Sequence, residues 1–326
     1  DKDKLLFTLG EAEELIGHNL LAYDLPVLKK LWGYIYKGKV TDTLVMSRLI
    51  YPHLGEVDSK QRKLPTKLWG SHSLKAWGYR LGEHKGEFND GTLDVWQEFS
   101  QEMLDYCIQD TKVTLELYKR MLARNFSEKS IRLEHEIALE MFKQERRGFT
   151  FDVQNAQTLF GELAQRKQEI EDELQTKFKP TIVELKTKTK EVPFNPASRQ
   201  QIAERLQELG WEPKDFTDSG LPKVDETILS GIDLPEAQLL VEYLMLNKRL
   251  GQLGTGKQAW LKLEKDGKLH GRVNHMGAVT SRCTHSNPNM AQVPSISAPY
   301  GADCRSLFTV PRGFLLLGAD ASGLEL

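Results

Sequence analysis

Cysteine is scarce: Cys107, Cys283 and Cys304 are the only three in 326 residues, and no two share a C-x-x-C spacing. An odd, widely spaced trio supplies neither a disulfide framework nor a structural zinc site, and points to a reduced, cytoplasmic setting. Long apolar runs are missing too. No stretch approaches the roughly 18 consecutive apolar residues of a membrane span, so no membrane partner is expected, and the opening DKDKLLF lacks the layout of a secretory signal. Net charge is almost absent, with 44 Lys and Arg against 46 Asp and Glu. That balance excludes a polyelectrolyte tail and a uniformly basic nucleic-acid coat protein. What is there is ordinary and globular, 40% hydrophobic and 28% charged. At about 150 residues per domain, the length suggests about two domains.

The most informative shortage is local. Residues 268–312 carry five Lys or Arg (Lys268, Arg272, Arg282, Arg305, Arg312) and one acid, Asp303, where the chain-wide frequency gives about six. Amide and hydroxyl side chains are plentiful there, among them Thr284, Asn289 and Gln292. A surface poor in acids and rich in neutral donors suits phosphates and base edges; a chance cluster on a loop is the competing account.

Three regions separate on pattern. Residues 1–125 mix short apolar runs with helical ones, including Thr43–Ile50 and Leu74–Leu81, and read as an α/β domain. Residues 130–178 read as helical, with a break at Gly148 and Asp152 placed to cap a long helix reaching about Phe178. Leu159, Leu163, Ile170 and Leu174 recur in it at helical spacing, as packing positions do. Further helices are expected at 198–209 and 235–250. Ahead of them, residues 177–190 hold five lysines against Glu184, a stretch whose plainest account is a solvated loop. Residues 314–318 form an apolar run of buried-strand type. A buried strand needs partners on its edges, and the chain opens on Asp1 rather than Met, so the sequence reads as an excerpt of a longer protein.

Candidate chemistry begins with carboxylates. Tyr106 and Asp110 stand at i, i+4 on a helix, which puts a phenol and a carboxylate on one face where they could hold a water beside a metal. Asp24 closes the stretch His18-Asn19-Leu20-Leu21-Ala22-Tyr23-Asp24, ahead of the helix breaker Pro26. Asp42 precedes an apolar run and reads as a helix N-cap. Asp320 follows an apolar strand, a suitable place for a metal ligand in phosphoryl transfer, although a plain turn aspartate is the commoner case.

Together these residues resemble the DNA polymerase I family (family A), in its T-seven-type phage replicative branch. The family's thumb-to-palm signature, T-G-R-x-[ST]-x-x-x-P-N-[LM]-x-[NQ]-[IV]-P, stands here as Thr280-Ser281-Arg282-Cys283-Thr284-His285-Ser286-Asn287-Pro288-Asn289-Met290-Ala291-Gln292-Val293-Pro294. Only Ser281 departs, replacing Gly. Arg305 and Phe308 fit an R-x-x-F stretch, and Asp320-Ala321-Ser322-Gly323-Leu324-Glu325-Leu326 matches polymerase motif A. His18 to Pro26 and Tyr106 to Asp110 resemble the second and third exonuclease motifs. Residues 71–82 also resemble the phage branch and are read as packing.

The resemblance implies a fold: an α/β RNase H-like exonuclease domain at 1–125 lacking its first strands, a mainly helical linker and thumb at 126–252, and the first part of an α+β palm at 253–326. It implies a fragment of a DNA-directed DNA polymerase with 3′–5′ proofreading, acting on primer-template DNA and dNTPs in the host cytoplasm. Mg²⁺ would bind through Asp320 and the carbonyl of Ala321 in one site, and through Asp24 and Asp110, with Tyr106 orienting water, in the other. Arg282, Thr284, Asn289 and Gln292 would face DNA, and Glu325 would select the sugar. The first exonuclease motif would lie before Asp1, and polymerase motifs B and C after Leu326. Both metal sites are therefore incomplete in this chain, which is expected to be inactive alone. Only 15 residues separate Phe178 from Phe194, too few for the thioredoxin-binding insertion, so no thioredoxin partner is expected. A stand-alone exonuclease of ribonuclease D type and a non-catalytic DNA-binding remnant remain the alternatives.

Overall fold

The computed structural model describes residues 1–83, 98–185 and 188–319. The chain divides into two compact units. One takes Asp1–Arg147 together with Arg272–His285, and the other takes Gly148–Gly271 and Ser286–Leu326. Among the described residues no helix is long and apolar enough to cross a membrane.

The first unit opens with α1 (Lys2–Glu11), β1 (Glu14–Gly17), α2 (Asp24–Trp32), β2 (Lys39–Asp42) and α3 (Thr43–Ile50). β1 and β2 pair in parallel, with Gly17 opposite Asp42. Parallel neighbours need a crossover, and α2 supplies it. Pro26 does not break that crossover. It sits in the first turn of α2, where its missing N–H has no intrahelical partner to lose. Gly33 ends the helix in the left-handed conformation, at φ 65°.

Two short helices follow, α4 (Leu54–Gln61) and α5 (Leu74–Leu81), and then two long ones, α6 (Gln101–Leu122) and α7 (Glu128–Arg147). Ser73 and Ser100 cap α5 and α6 through their hydroxyls. Met46, Leu54, Trp77, Leu117 and Met121 form one core cluster. A second joins Leu21, Val45, Ala138 and Phe142, with Met276 packed against it. Met276 follows the short strand Arg272–Asn274, which contacts α7.

In the second unit β3 (Phe149–Phe151) is the middle strand of three, antiparallel to both Lys268–Leu269 and Phe308–Thr309. Asp152 caps α8 (Val153–Lys177), accepting the Asn155 N–H at 3.0 Å, as expected. Leu159, Leu163, Ile170 and Leu174 are all buried. They share one core with residues of α9 (Arg199–Glu208), α10 (Glu226–Ser230) and α11 (Pro235–Leu250). Arg166 reaches across from α8 to α11 and holds Glu242 with two hydrogen bonds, 2.8 and 2.9 Å.

Two segments depart from expectation. The lysine-rich stretch is not a plain loop: β4 (Thr181–Leu185) and β5 (Lys188–Val192) form an antiparallel hairpin, with Val183 opposite Lys190 and Leu185 opposite Lys188. The apolar run at 314–317 is not a buried strand. Phe314, Leu315, Leu316 and Leu317 are all exposed, from 68% to 96%, because no strand among the described residues pairs with them and an unpaired segment has nothing to bury against.

Candidate functional site

Asp42 organises the first unit's chemistry without being part of it. At the end of β2 it caps α3, its Oδ1 accepting the Leu44 N–H at 2.9 Å. The same carboxylate accepts the Asn19 N–H at 2.9 Å and the Leu21 N–H at 3.1 Å. Asn19 takes a left-handed conformation, φ 67°, which asparagine tolerates better than most residues. The loop between β1 and α2 is thereby pinned to the next strand. His18 is fixed as well, its Nδ1 lying 2.9 Å from Thr43 Oγ1, while the Thr43 hydroxyl bonds to the Gly17 carbonyl.

This loop delivers Asp24 to the start of α2, and α6 delivers Asp110. The two carboxylates line one cavity of about 440 Å³, together with Gly17, His18, Thr111 and Thr114. Asp24 keeps solvent access, yet burial raises its pKa above the ordinary carboxylate value, and the Asp42 charge raises it further. A cleft that resists one carboxylate charge and holds two favours a cation between them. Beside the His18 imidazole its polar groups are oxygens, and the two carboxylates are the kind a hard divalent ion such as Mg²⁺ takes. Among the described residues no group of three or more His, Cys, Asp or Glu is gathered for a metal. Tyr106, half-buried one turn before Asp110 on α6, is not among the residues lining the cleft.

The acid-poor segment divides between the two units. Arg282 and Thr284 belong to the first and are exposed; Asn289 and Gln292 belong to the second. Arg282 makes no side-chain bond among the described residues, leaving an exposed guanidinium. Asn289 is committed locally, its Oδ1 capping the turn Met290–Gln292 through the Ala291 N–H at 3.1 Å. Gln292 offers an exposed side chain while its carbonyl accepts from Gln252 Nε2 at 2.9 Å.

The comparisons with known proteins bear on this segment. The model of DNA polymerase family A matches residues 162–326. The chain belongs to that family. It is 34% identical to the DNA-directed DNA polymerases of Enterobacteria phage T3 and Escherichia phage T7, over 96% of its own length and 60% of theirs. The chain thus spans under two thirds of the curated relatives it matches. Among solved structures it shares the fold of the POL domain of Pol1 from M. smegmatis, a complex with DNA primer-template and dNTP. That likeness has a TM-score of 0.66 at 18% identity and covers 97% of this chain and 49% of the other.

Family membership gives meaning to Ser281, which stands where the family signature has glycine. Its φ is +60°, left-handed, and Ser281 N–H bonds to the Ala278 carbonyl in a tight turn. Glycine would occupy that turn without strain. Asp320, Ala321 and Glu325 lie outside the described residues. A second pocket in the first unit, walled by Arg48, His72, Arg272 and Asn274, was not anticipated. A single arginine inside the apolar run of α3 was its one sequence signal.

Proposed function

We propose that this chain is the exonuclease, thumb and first palm portion of a phage DNA-directed DNA polymerase, with 1–125, 126–252 and 253–326 as those parts. The observation that carries the reading is the signature at 280–294, within a stretch matched by the family A model and in a chain aligned along 96% of its length to two phage polymerases. Primer-template DNA and dNTPs are the proposed ligands. The solved relative that shares the fold is a complex with both.

For polymerisation, Arg282 and Gln292 would read the minor groove at the primer end. Acceptors there are similarly placed in every Watson–Crick pair, so such contacts test pairing without choosing sequence. Thr284 and Asn289 would also contact DNA, each from its own unit. Asp320 and the Ala321 carbonyl are oxygen donors suited to Mg²⁺, and Glu325 would press against the sugar and disfavour ribose. For proofreading, the shared cleft of Asp24 and Asp110 supports a 3′–5′ exonuclease site, with Tyr106 orienting water. Bound Mg²⁺ would supply a more acidic water and stabilise charge on the phosphodiester. The chain's own task there is to hold the strand end and present the two carboxylates. The hairpin between Phe178 and Phe194 leaves no room for a docking subdomain, so thioredoxin is not proposed as a partner. The host cytoplasm is the proposed setting.

The test is the parental reading frame. Its product should extend a primer and digest a single-stranded 3′ end, and Asp110→Ala should abolish digestion while extension persists. The 326-residue chain alone should do neither. Digestion by that chain at an ordinary rate would point to the stand-alone exonuclease, and a parent inert in both assays would leave the DNA-binding remnant.

A further inference from the structure

Two arginines of the first unit, Arg48 and Arg272, line one pocket, and Asp42, the acid whose charge partly offsets theirs at Arg48, forms no ion pair with either. Arg48, on α3, is half-buried, and burial together with the Arg272 charge lowers its pKa. Neither guanidinium makes a hydrogen bond or ion pair among the described residues. The carboxylates nearby are already committed. Asp42 accepts three backbone N–H groups. Asp58 holds Arg80 through two hydrogen bonds and the Gly70 N–H through a third. Two like charges facing one pocket disfavour each other, and an anion between them relieves the cost.

The pocket they wall has a volume of about 600 Å³, inside the roughly 300–1,000 Å³ typical of small-ligand sites. Its neutral groups are donors. Trp77 Nε1 donates to Ser47 Oγ at 2.8 Å, and Ser47 Oγ lies 2.7 Å from His72 Nδ1. With the serine accepting from Trp77 and giving its own proton to Nδ1, one of the two arrangements this contact allows, His72 carries its hydrogen on Nε2 and is a donor without being charged. Burial and the neighbouring Arg48, Arg80 and His18 keep it neutral, with a pKa lowered to about 4. Asn274 lines the same pocket, and its Oδ1 is buried without a partner. An amide with one unsatisfied end turns its NH₂ to whichever group needs it.

We propose that this pocket binds a phosphate group, gripped by Arg48 and Arg272 and completed by the Nε2–H of His72 and the amide of Asn274. Guanidinium forks match phosphate oxygens in pairs, and paired charge-assisted bonds are the strongest a protein offers such a group. The site is not the carboxylate cleft, though it shares His18 and Leu74 with it. It rests on the two arginines with His72 and Asn274, and stands whether or not that cleft hydrolyses DNA. The phosphate can belong to a single DNA strand or to a free nucleotide, and the two sources are separable.

The 326-residue chain is titrated with inorganic phosphate, with dAMP and with an unphosphorylated (dT)₆ oligonucleotide. Binding is followed by ³¹P line width for the small ligands, by anisotropy for the oligonucleotide, and by the His72 imidazole ¹⁵N signals for all three. The Arg48→Gln/Arg272→Gln double variant should lose at least tenfold in affinity while its far-UV circular dichroism is unchanged. Arg48→Lys, which keeps the charge without the fork, should fall between. Loss confined to the oligonucleotide assigns a strand phosphate, and loss for dAMP and phosphate assigns a free one. Equal affinity of wild type and double variant for every probe, or no perturbation of His72 by any, would overturn the proposal.

Discussion

The Arg80 guanidinium meets the Asp58 carboxylate through two parallel hydrogen bonds, Nε to Oδ1 at 3.0 Å and Nη2 to Oδ2 at 2.7 Å. The side chains are 10% and 2% exposed. Burial alone would raise the Asp58 pKa; the Arg80 bonds and the Gly70 N–H outweigh it and leave the pKa lowered. Arg80 also stacks on Trp77, 4.9 Å from the ring centre. Breaking such a pair from one side leaves a buried charge alone. Arg80→Ala should therefore cost about 3–5 kcal/mol, seen as a lower urea midpoint for Trp77 fluorescence. A change below 1 kcal/mol would mean that water replaces the guanidinium.

Acid should loosen the first unit in two stages. His72 and His275 have pKa values lowered to about 4, mainly by burial. His275 Nε2 lies 3.4 Å from Glu134 Oε2, but it makes no hydrogen bond there and burial raises the Glu134 pKa, so the contact is not an ion pair at neutral pH. An unfolded histidine takes up its proton near pH 6.5, and these two resist it until about 4. The unfolded state therefore binds more protons across that window, and stability falls as pH drops from 6.5 to 4, by at most about 1.4 kcal/mol per pH unit for each histidine. Asp58, with its lowered pKa, adds its own loss only below the ordinary carboxylate range. Urea midpoints taken between pH 7 and 4 for wild type and His72→Gln should converge toward the acid end. Parallel curves would contradict the buried neutral His72.

Ser281→Gly should stabilise the turn at 278–282 by up to about 1 kcal/mol, since glycine takes a left-handed φ without the strain of a Cβ. The gain is net of the extra freedom glycine has when unfolded. Thermal melting of the two forms reads it directly, and a lower midpoint would show that the Ser281 side chain holds the turn in some other way.

Arg282→Ala in the parental enzyme should slow extension of a correctly paired primer by an amount on the order of 1–3 kcal/mol. The loss should be similar for all four terminal base pairs. A strong dependence on the terminal base, measured in single-turnover extension, would contradict minor-groove reading of pair geometry.

The lysines of residues 177–190 offer a salt-dependence test. Lys188 and Lys190 belong to β5, and Lys186 lies outside the described residues. Replacing Lys177, Lys179, Lys186, Lys188 and Lys190 by Gln should weaken primer-template binding by the parent and flatten its salt dependence, by roughly 0.9 in slope for each phosphate contact removed. Identical slopes would leave these lysines to solvent. Processive synthesis that appears only with thioredoxin would overturn the reading that no such partner is used.

Helices with an apolar stripe were legible from sequence: Thr43–Ile50, Leu74–Leu81 and Pro235–Leu250 begin and end where the pattern places them. The hairpin was not, because its strands carry Lys, Thr and Glu among few apolar residues and show no clear alternation; Ile182 itself is 64% exposed. Asp24 and Asp110 were legible as motif residues, and their meeting in one cleft needed the tertiary fold. The phosphate pocket was hidden more deeply. Arg48 and Arg272 come from segments more than 200 positions apart, and nothing local to either shows that the other is near.

The division of the chain into units has a practical consequence for anyone who would cut it. The first unit is not a stretch of sequence: it ends at Arg147 and resumes at Arg272 for fourteen residues. An expression boundary after Arg147 would discard Arg272, Asn274, His275 and Met276, uncovering Phe142 and Ala138 and removing one wall of the phosphate pocket. A fragment trimmed that way should be sticky and blind to phosphate, and its failure would say nothing about the intact protein. Joining Arg147 to Arg272 through a short flexible bridge is the smaller version that keeps every contact of the unit.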